Sequence, residues 1–248
     1  SYSFESRLLS ERKEIGIYYR TPYGDQKRGA FQPLFEDNID AAVVRLGVSD
    51  LSRYKLLVIA GEYLIDEASA KAVRAYVAQG GTVIMTAYSA KADANGQWFG
   101  TALPGGLSDV FGLRTAEFYK SSEPLAGTIA GKSFTTTINN YEVLKPTTAS
   151  ILGTFSNLAG TPPAATVNSY GKGKAIYVVA TAQPAVLEPL YESLYAGLGI
   201  SPGPKTPKGV IARTVEGRTL YVNTAAAPAE VDLPGRHKGR ISGKSFDG

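Results

Sequence analysis

Between Tyr54 and Thr86 the spacing of apolar residues changes twice, and the changes mark out a strand, a helix and a second strand. Leu56 to Ala60 is a continuous apolar run of strand length, the pattern of a strand covered on both faces. Ala68, Ala72, Val73, Tyr76 and Val77 then recur at helical spacing, with Lys71, Arg74 and Gln79 pointing away. Asp66 is a suitable N-cap, and Gly80-Gly81 a suitable stop. Thr82 to Thr86 is the second buried strand. Together these form the crossover unit of a parallel sheet, whose strand ends often carry chemistry.

The same reading extends in both directions. Glu14 to Tyr19 predicts an earlier strand and Arg20 to Gly29 a polar loop. Pro33 suits a first helical turn, followed by Leu34, Phe35, Ile39, Val43 and Leu46 at helical spacing and Gly47 as a stop. The alternation predicts an α/β fold with a doubly wound, mostly parallel sheet. After Thr86 the polar stretch at residues 87–106 is too long for a routine connection and reads as an ordered excursion. A short helix, Leu107 to Phe111, leads into an extended Leu113 to Tyr119.

From Pro124 onward Thr, Val, Ile and Tyr rise, and Ala164 to Asn168 with Lys174 to Ala180 reads as a hairpin. Pro184 to Leu198 carries a helical stripe in which Pro189 predicts a kink or a later start. Ser201 to Lys208, with three prolines, is a stiff linker. Gly209 to Thr214, Arg218 to Asn223 and Glu230 to Leu233 then alternate like antiparallel strands, with Glu216-Gly217 as a compact turn. The expected division is an α/β domain at residues 1–203 and a small antiparallel β domain at 204–248, which ends on a turn-like sequence and reads as incomplete.

Composition narrows the chemistry. With 26 basic and 22 acidic residues the formal charge is +4. Basic residues gather only at Arg236, His237, Lys238, Arg240 and Lys244, which reads as a solvated tail or edge strand rather than a nucleic-acid footprint. No apolar run reaches membrane-span length, and the first residues are polar and charged, without a secretory signal. The chain has no Cys, which excludes disulfides, thiolate metal sites and cysteine nucleophiles and fits a cytoplasmic protein. No metal site and no cofactor are expected: His and Cys partners are lacking, and DANGQW is too short for a calcium loop.

Candidate catalytic groups are weighed and set aside. Gly171-Lys172-Gly173 sits between two strands and reads as a hairpin turn, since a phosphate loop should open a helix. Ser89 lies near a strand-to-helix elbow, but the single histidine, His237, is beyond the proline linker. Glu62, Asp66, Glu67, Asp93 and Glu117 cluster near strand ends without a spacing that singles out a pair, and read as caps or surface groups. No catalytic residue is therefore assigned. Aromatics are the remaining signal: 15 Tyr, 9 Phe and one Trp. Trp98-Phe99 in the polar excursion can stack on a sugar, pack under its own loop, or enter a subunit interface. Trp98 and Tyr88 are the candidate substrate-binding residues.

The order of the pieces resembles the C-terminal region of the glycoside hydrolase family 42 β-galactosidases. The resemblance is carried by Tyr54-Lys55-Leu56-Leu57-Val58-Ile59 with Tyr63-Leu64, and by Arg74-Ala75-Tyr76-Val77 with Gly80-Gly81-Thr82. It continues through Asp93, Asn95, Pro104-Gly105, Leu107, Gly112 and Glu117-Phe118, then Tyr170 to Ala175, and ends in Tyr221-Val222-Asn223 and Val231 to Pro234. Coverage runs from about Ile15 to Gly243. Departures are Ala94, where the family usually has an acidic residue, and a short segment after the first strand.

The resemblance implies a class I glutamine-amidotransferase-like α/β trimerisation domain without its cysteine nucleophile, followed by a small β domain. It implies a homotrimer and a preceding catalytic barrel that holds both catalytic glutamates of a retaining enzyme acting on terminal β-D-galactosides. That barrel is not part of this sequence, so no family catalytic residue carries over. The alternative expectation is a non-catalytic carbohydrate-binding or interaction domain in which Trp98 and Tyr88 contact sugar.

Overall fold

In the computed structural model, which describes residues 1–11, 23–100, 103–138, 140–233, 236–238 and 245–247, two helices precede the first strand: α1 (Phe4–Glu11) and α2 (Tyr23–Glu36). The predicted strand from Glu14 to Tyr19 lies outside the described residues. The expected helix from Pro33 to Leu46 is corrected. Helix α2 starts at Tyr23, inside the supposed polar loop, holds Pro33 in its interior, and stops at Glu36. The stop is Asn38, which adopts a left-handed φ of 56°. Its side chain donates to the Pro204 carbonyl (2.8 Å) and accepts from the Ala212 N–H (2.7 Å). These distant bonds end the helix where local periodicity would have continued it. Val43, expected on the apolar face, is 78% exposed, and its neighbour Val44 is buried instead.

The crossover unit forms as expected. β1 (Leu56–Ile59) and β2 (Thr82–Thr86) are parallel, joined by α3 (Glu67–Ala78). Asp66 caps α3 by accepting from the Ser69 N–H at 2.7 Å. All five β2 residues are buried. The buried face of α3 is Ser69, Ala70, Val73, Tyr76 and Val77; Ala68 is exposed.

The remaining elements are α4 (Ser108–Phe111), β3 (Leu113–Lys120), β4 (Ala126–Ile129), β5 (Lys132–Thr135), β6 (Asn140–Pro146), β7 (Ser150–Phe155), β8 (Pro163–Tyr170), β9 (Gly173–Val178) and α5 (Pro184–Leu198). A seven-stranded sheet has the order β1-β2-β9-β8-β7-β4-β5, and β3 pairs with β6 in a separate ribbon. The sheet is mixed, which corrects the expectation of a mostly parallel one. Only β1–β2 and β2–β9 are parallel, whereas β9–β8, β8–β7, β7–β4 and β4–β5 are antiparallel. The reason is connection length: Ala130-Gly131 and Gly171-Lys172 are two-residue turns, and only antiparallel strands can be joined so tightly. Helix α5 begins at Pro184 and runs through Pro189, so the later start does not occur. Its buried Val186, Leu187, Leu190, Tyr191 and Tyr195 offset the one backbone bond that Pro189 cannot make.

The chain divides into two compact units: Ser1–Leu34 with Ala41–Ser201, and Phe35–Asp40 with Pro202–Gly248. In the second, β10 (Val210–Val215) and β11 (Arg218–Asn223) form a hairpin whose turn residues, Glu216 and Gly217, both have positive φ. No strand forms at the expected Glu230 to Leu233. Short strands β12 (Arg236–Lys238) and β13 (Ser245–Asp247) pair instead. No helix among the described residues is long and apolar enough to cross a membrane.

Candidate functional site

The chain leaving β2 turns sharply at Tyr88 (φ 65°) and Ala90 (φ 53°). Residues 87–92 are all buried, so the first part of the supposed polar excursion is core. Four donors from this turn and its surroundings converge on one carboxylate, that of Glu142 on β6. The Tyr88 N–H donates at 2.7 Å and the Lys91 Nζ at 2.9 and 3.1 Å. The Tyr177 hydroxyl donates at 2.6 Å from β9, and Thr115 Oγ1 at 3.2 Å from β3. Lys91 and Tyr177 have no exposed surface, and Glu142 is 1% exposed.

Burial pushes the Lys91 ammonium below the usual lysine range, and Glu142 pulls it part of the way back. Burial, then the neighbouring Glu142 charge, raises the Tyr177 hydroxyl well above the usual phenol value, so it remains a donor. The cluster can pin the turn after β2, but it is sealed from any substrate. This is the arrangement expected of a satisfied buried ion pair.

A β-bulge makes the site. Thr115 on β3 faces Leu144 on β6, and after the extra residue Ala116, Glu117 faces Val143 and Phe118 faces Glu142. Without the bulge Glu117 would stand opposite Glu142, placing two carboxylates on the inner face. With it, Phe118 turns inward and its ring centre lies 5.2 Å from the Lys91 Nζ.

Trp98 lies above this cluster, on the segment that returns when Ala92 bridges to both Leu64 and Trp98. Its ring centre is 5.8 Å from Phe118, edge-on, and 6.5 Å from Tyr63. Trp98 is 42% exposed. Tyr88, the other candidate, is buried at 4% exposure and stacks on Phe118 at 6.1 Å. The structure thus joins Trp98 and Tyr88 through Phe118, but only Trp98 reaches solvent. Phe99 packs beside Gly105, where a Cβ would lie 2.0 Å from its ring. On that side an open cleft of about 680 Å³ separates the loop from α3, lined among others by Asp66, Lys71, Arg74, Asp93 and Phe99.

The other singled-out residues resolve as follows. Ser89 is buried, its hydroxyl 3.4 Å from the Ile59 carbonyl; His237 belongs to β12 in the second unit. Asp66 is the α3 cap, and Asp93 closes a turn by accepting from the Asn95 and Gln97 N–H groups, both at 2.9 Å. Glu67 is exposed, and Glu117 accepts from the Tyr119 hydroxyl at the surface. Glu62 is a correction: it is neither cap nor surface but 1% exposed, bound by the Tyr23 hydroxyl at 3.0 Å and Lys27 at 2.7 Å. Gly171-Lys172 is the β8–β9 turn. Among the described residues no three His, Cys, Asp or Glu side chains converge in a way that could hold a metal ion.

Sequence reasoning missed Lys91, Thr115, Glu142 and Tyr177. The available signal was alternation: Glu142 shares a strand face with Asn140 and Leu144, and Lys91 interrupts a run of small residues. One inward charge of each sign is the mark of a buried pair.

A family model described as the β-galactosidase trimerisation domain matches residues 2–201. The β-galactosidase BgaB of a Geobacillus species is 30% identical over 175 residues, covering 69% of this chain and 26% of that protein. The β-galactosidase LacA of Lactobacillus acidophilus is 26% identical over 231 residues, covering 90% of this chain and 34% of that protein. Among solved structures, a β-galactosidase from Bacillus circulans sp. alkalophilus has a TM-score of 0.85 at 24% identity, over 100% of this chain and 38% of that one. The chain spans roughly a quarter to a third of the length of the curated relatives it matches.

Proposed function

From the premise that the chain belongs to the β-galactosidase trimerisation domain family, we propose that it is the assembling, non-catalytic part of a glycoside hydrolase of family 42 that cleaves terminal β-D-galactosides. In the whole protein a catalytic barrel precedes this chain, and three copies associate through the α/β unit. The observation that carries the reading is the family match across residues 2–201. The geometry at the end of β2 is in keeping with it: the turn holds Tyr88, whose N–H binds the sealed Lys91–Glu142 pair.

The same turn supports a finer reading of the fold. A non-glycine residue at φ 65°, two positions beyond the end of a parallel strand, resembles the strained backbone of a nucleophile elbow, so the α/β unit is read as amidotransferase-like with Tyr88 at that turn. The proposed domains divide at 203/204, and the proposed compartment is the cytoplasm, in keeping with the absence of Cys. Light scattering across a concentration series tests assembly: a trimer mass is expected, and a monomer at every concentration overturns it. The isolated chain is expected to release no nitrophenol from a nitrophenyl β-galactoside; release above a blank would overturn the non-catalytic reading.

A second reading, a carbohydrate-binding module, is favoured by one observation, the exposed Trp98. Galactoside titration against the fluorescence of this single tryptophan tests it, with a saturable shift as the supporting result.

A further inference from the structure

We infer that the aromatic face formed by Trp98, Tyr63 and Phe118 is a contact surface for a second copy of this chain. The inference rests on the trimerisation reading above and adds the place where copies meet. The family match that describes self-association, residues 2–201, includes the whole face. Within it, Trp98 has the two properties of an interface anchor: a large ring in solvent and a rigid support. The ring is 42% exposed, while its supports, Tyr63 at 6.5 Å and Phe118 at 5.8 Å, are partly covered. Phe118 in turn lies against the sealed Lys91, with Tyr88 stacked on its ring. An anchor already held in one geometry loses little freedom on docking, which is how such a face gains affinity.

The family match favours a protein occupant over a sugar, and the polar groups around Trp98 fit the rim of such a contact. Here the backbone of the 93–97 turn is closed on itself, and the Asn95 and Gln97 side chains are exposed. One Asp93 oxygen accepts from both the Asn95 and Gln97 N–H groups, and the Asp93 N–H donates to the Gln97 carbonyl at 2.9 Å. The Glu117 carboxylate is held by Tyr119. Lys91, Glu142 and Tyr177 are sealed beneath. What the surface presents is therefore an aromatic ring rimmed by exposed amide side chains, the composition of an interface core with its polar rim.

The chain contains its own probe, because Trp98 is its only tryptophan. Mass by light scattering and Trp98 emission are measured over the same dilution series, with acrylamide quenching at both ends. If Trp98 is in the contact, emission moves to the blue and quenching falls over the concentration range in which the mass rises. Trp98→Lys is then expected to weaken association by about 30-fold or more while leaving far-ultraviolet dichroism unchanged, since an interface anchor contributes at least that much. Should that variant lose its fold, the unsubstituted dilution series still decides the matter. A mass that rises while emission and quenching stay constant overturns this surface and leaves the trimer reading standing. A monomer at all concentrations overturns both. A blue shift produced by galactose in the monomer assigns the face to sugar and overturns the inference.

Discussion

Lys91 and Arg74 each hold a carboxylate within the first unit, but in contrasting surroundings. The Lys91–Glu142 pair has no exposed side-chain surface, and every remaining oxygen lone pair is approached by Tyr88, Tyr177 or Thr115. The Arg74–Asp109 pair is bidentate, yet its side chains are 36% and 56% exposed. The exposed pair has the better fork geometry, but water already solvates both ions, so their attraction is screened and little is lost on separation. In the buried pair, removing one partner strands the other without water. Burial, more than the geometry of the pair, sets what each is worth.

The strongest way to break this comparison is Glu142→Ala. It leaves the Tyr88 N–H buried without an acceptor and the Lys91 ammonium buried with no counter-charge and only the Tyr177 hydroxyl at 3.2 Å, and is expected to cost about 3–5 kcal/mol in urea denaturation. Lys91→Met with Glu142→Leu should recover the part of that loss due to the uncompensated charge, while the Tyr88 N–H and Tyr177 hydroxyl still lack their acceptor. If the double variant is as unstable as the sum of the singles, the cluster does not act as a unit.

Tyr177→Phe comes next. Losing a hydroxyl that donates to an ionised carboxylate is expected to cost about 1.5–3 kcal/mol near neutral pH. The pH dependence has a definite sign. Tyr177 has its folded value raised well above the ordinary phenol value of 10.0, so its contribution is complete below pH 10 and declines above it, where the unfolded chain releases the proton first. The gap between the unsubstituted chain and Tyr177→Phe should therefore narrow in alkaline urea titrations.

The smallest effect is expected from Arg74→Ala, about 1 kcal/mol or less, shrinking further in 1 M salt. The hydrogen bond from Arg74 holds the Asp109 carboxyl below its ordinary 3.8. The contribution of this pair is therefore full above that value and falls as pH drops through the lowered folded value. A loss comparable to that of Glu142→Ala would show that exposure is not the deciding variable.

The same contrast between local and distant causes runs through the fold. The crossover unit from Leu56 to Thr86 was legible because its signals are local: apolar period, the Asp66 cap and the glycine stop all act within a few residues. The β8–β9 and β10–β11 hairpins were legible for the same reason, each having a two-residue turn that fits only one type of connection. The failure at α2 has the opposite origin. Helical spacing continues past Glu36, but Asn38 is held by partners at Pro204 and Ala212, which no window around residue 38 contains.

What the sequence determined by itself was therefore the family of the protein and its locally signalled elements. Without Cys, and with its lone His beyond the linker, it offers no familiar nucleophile–base pairing. The place of the site was another matter. Alternation marks a strand's two faces but does not say which one is buried, nor where a bulge exchanges them. Only pairing with β6 decided that Phe118, and not Glu117, stands opposite Glu142, and only packing brought Lys91 and Tyr177 to the same carboxylate. That register is fixed by contacts between residues far apart in the chain, because a buried charge is tolerated only where distant strands deliver its partner.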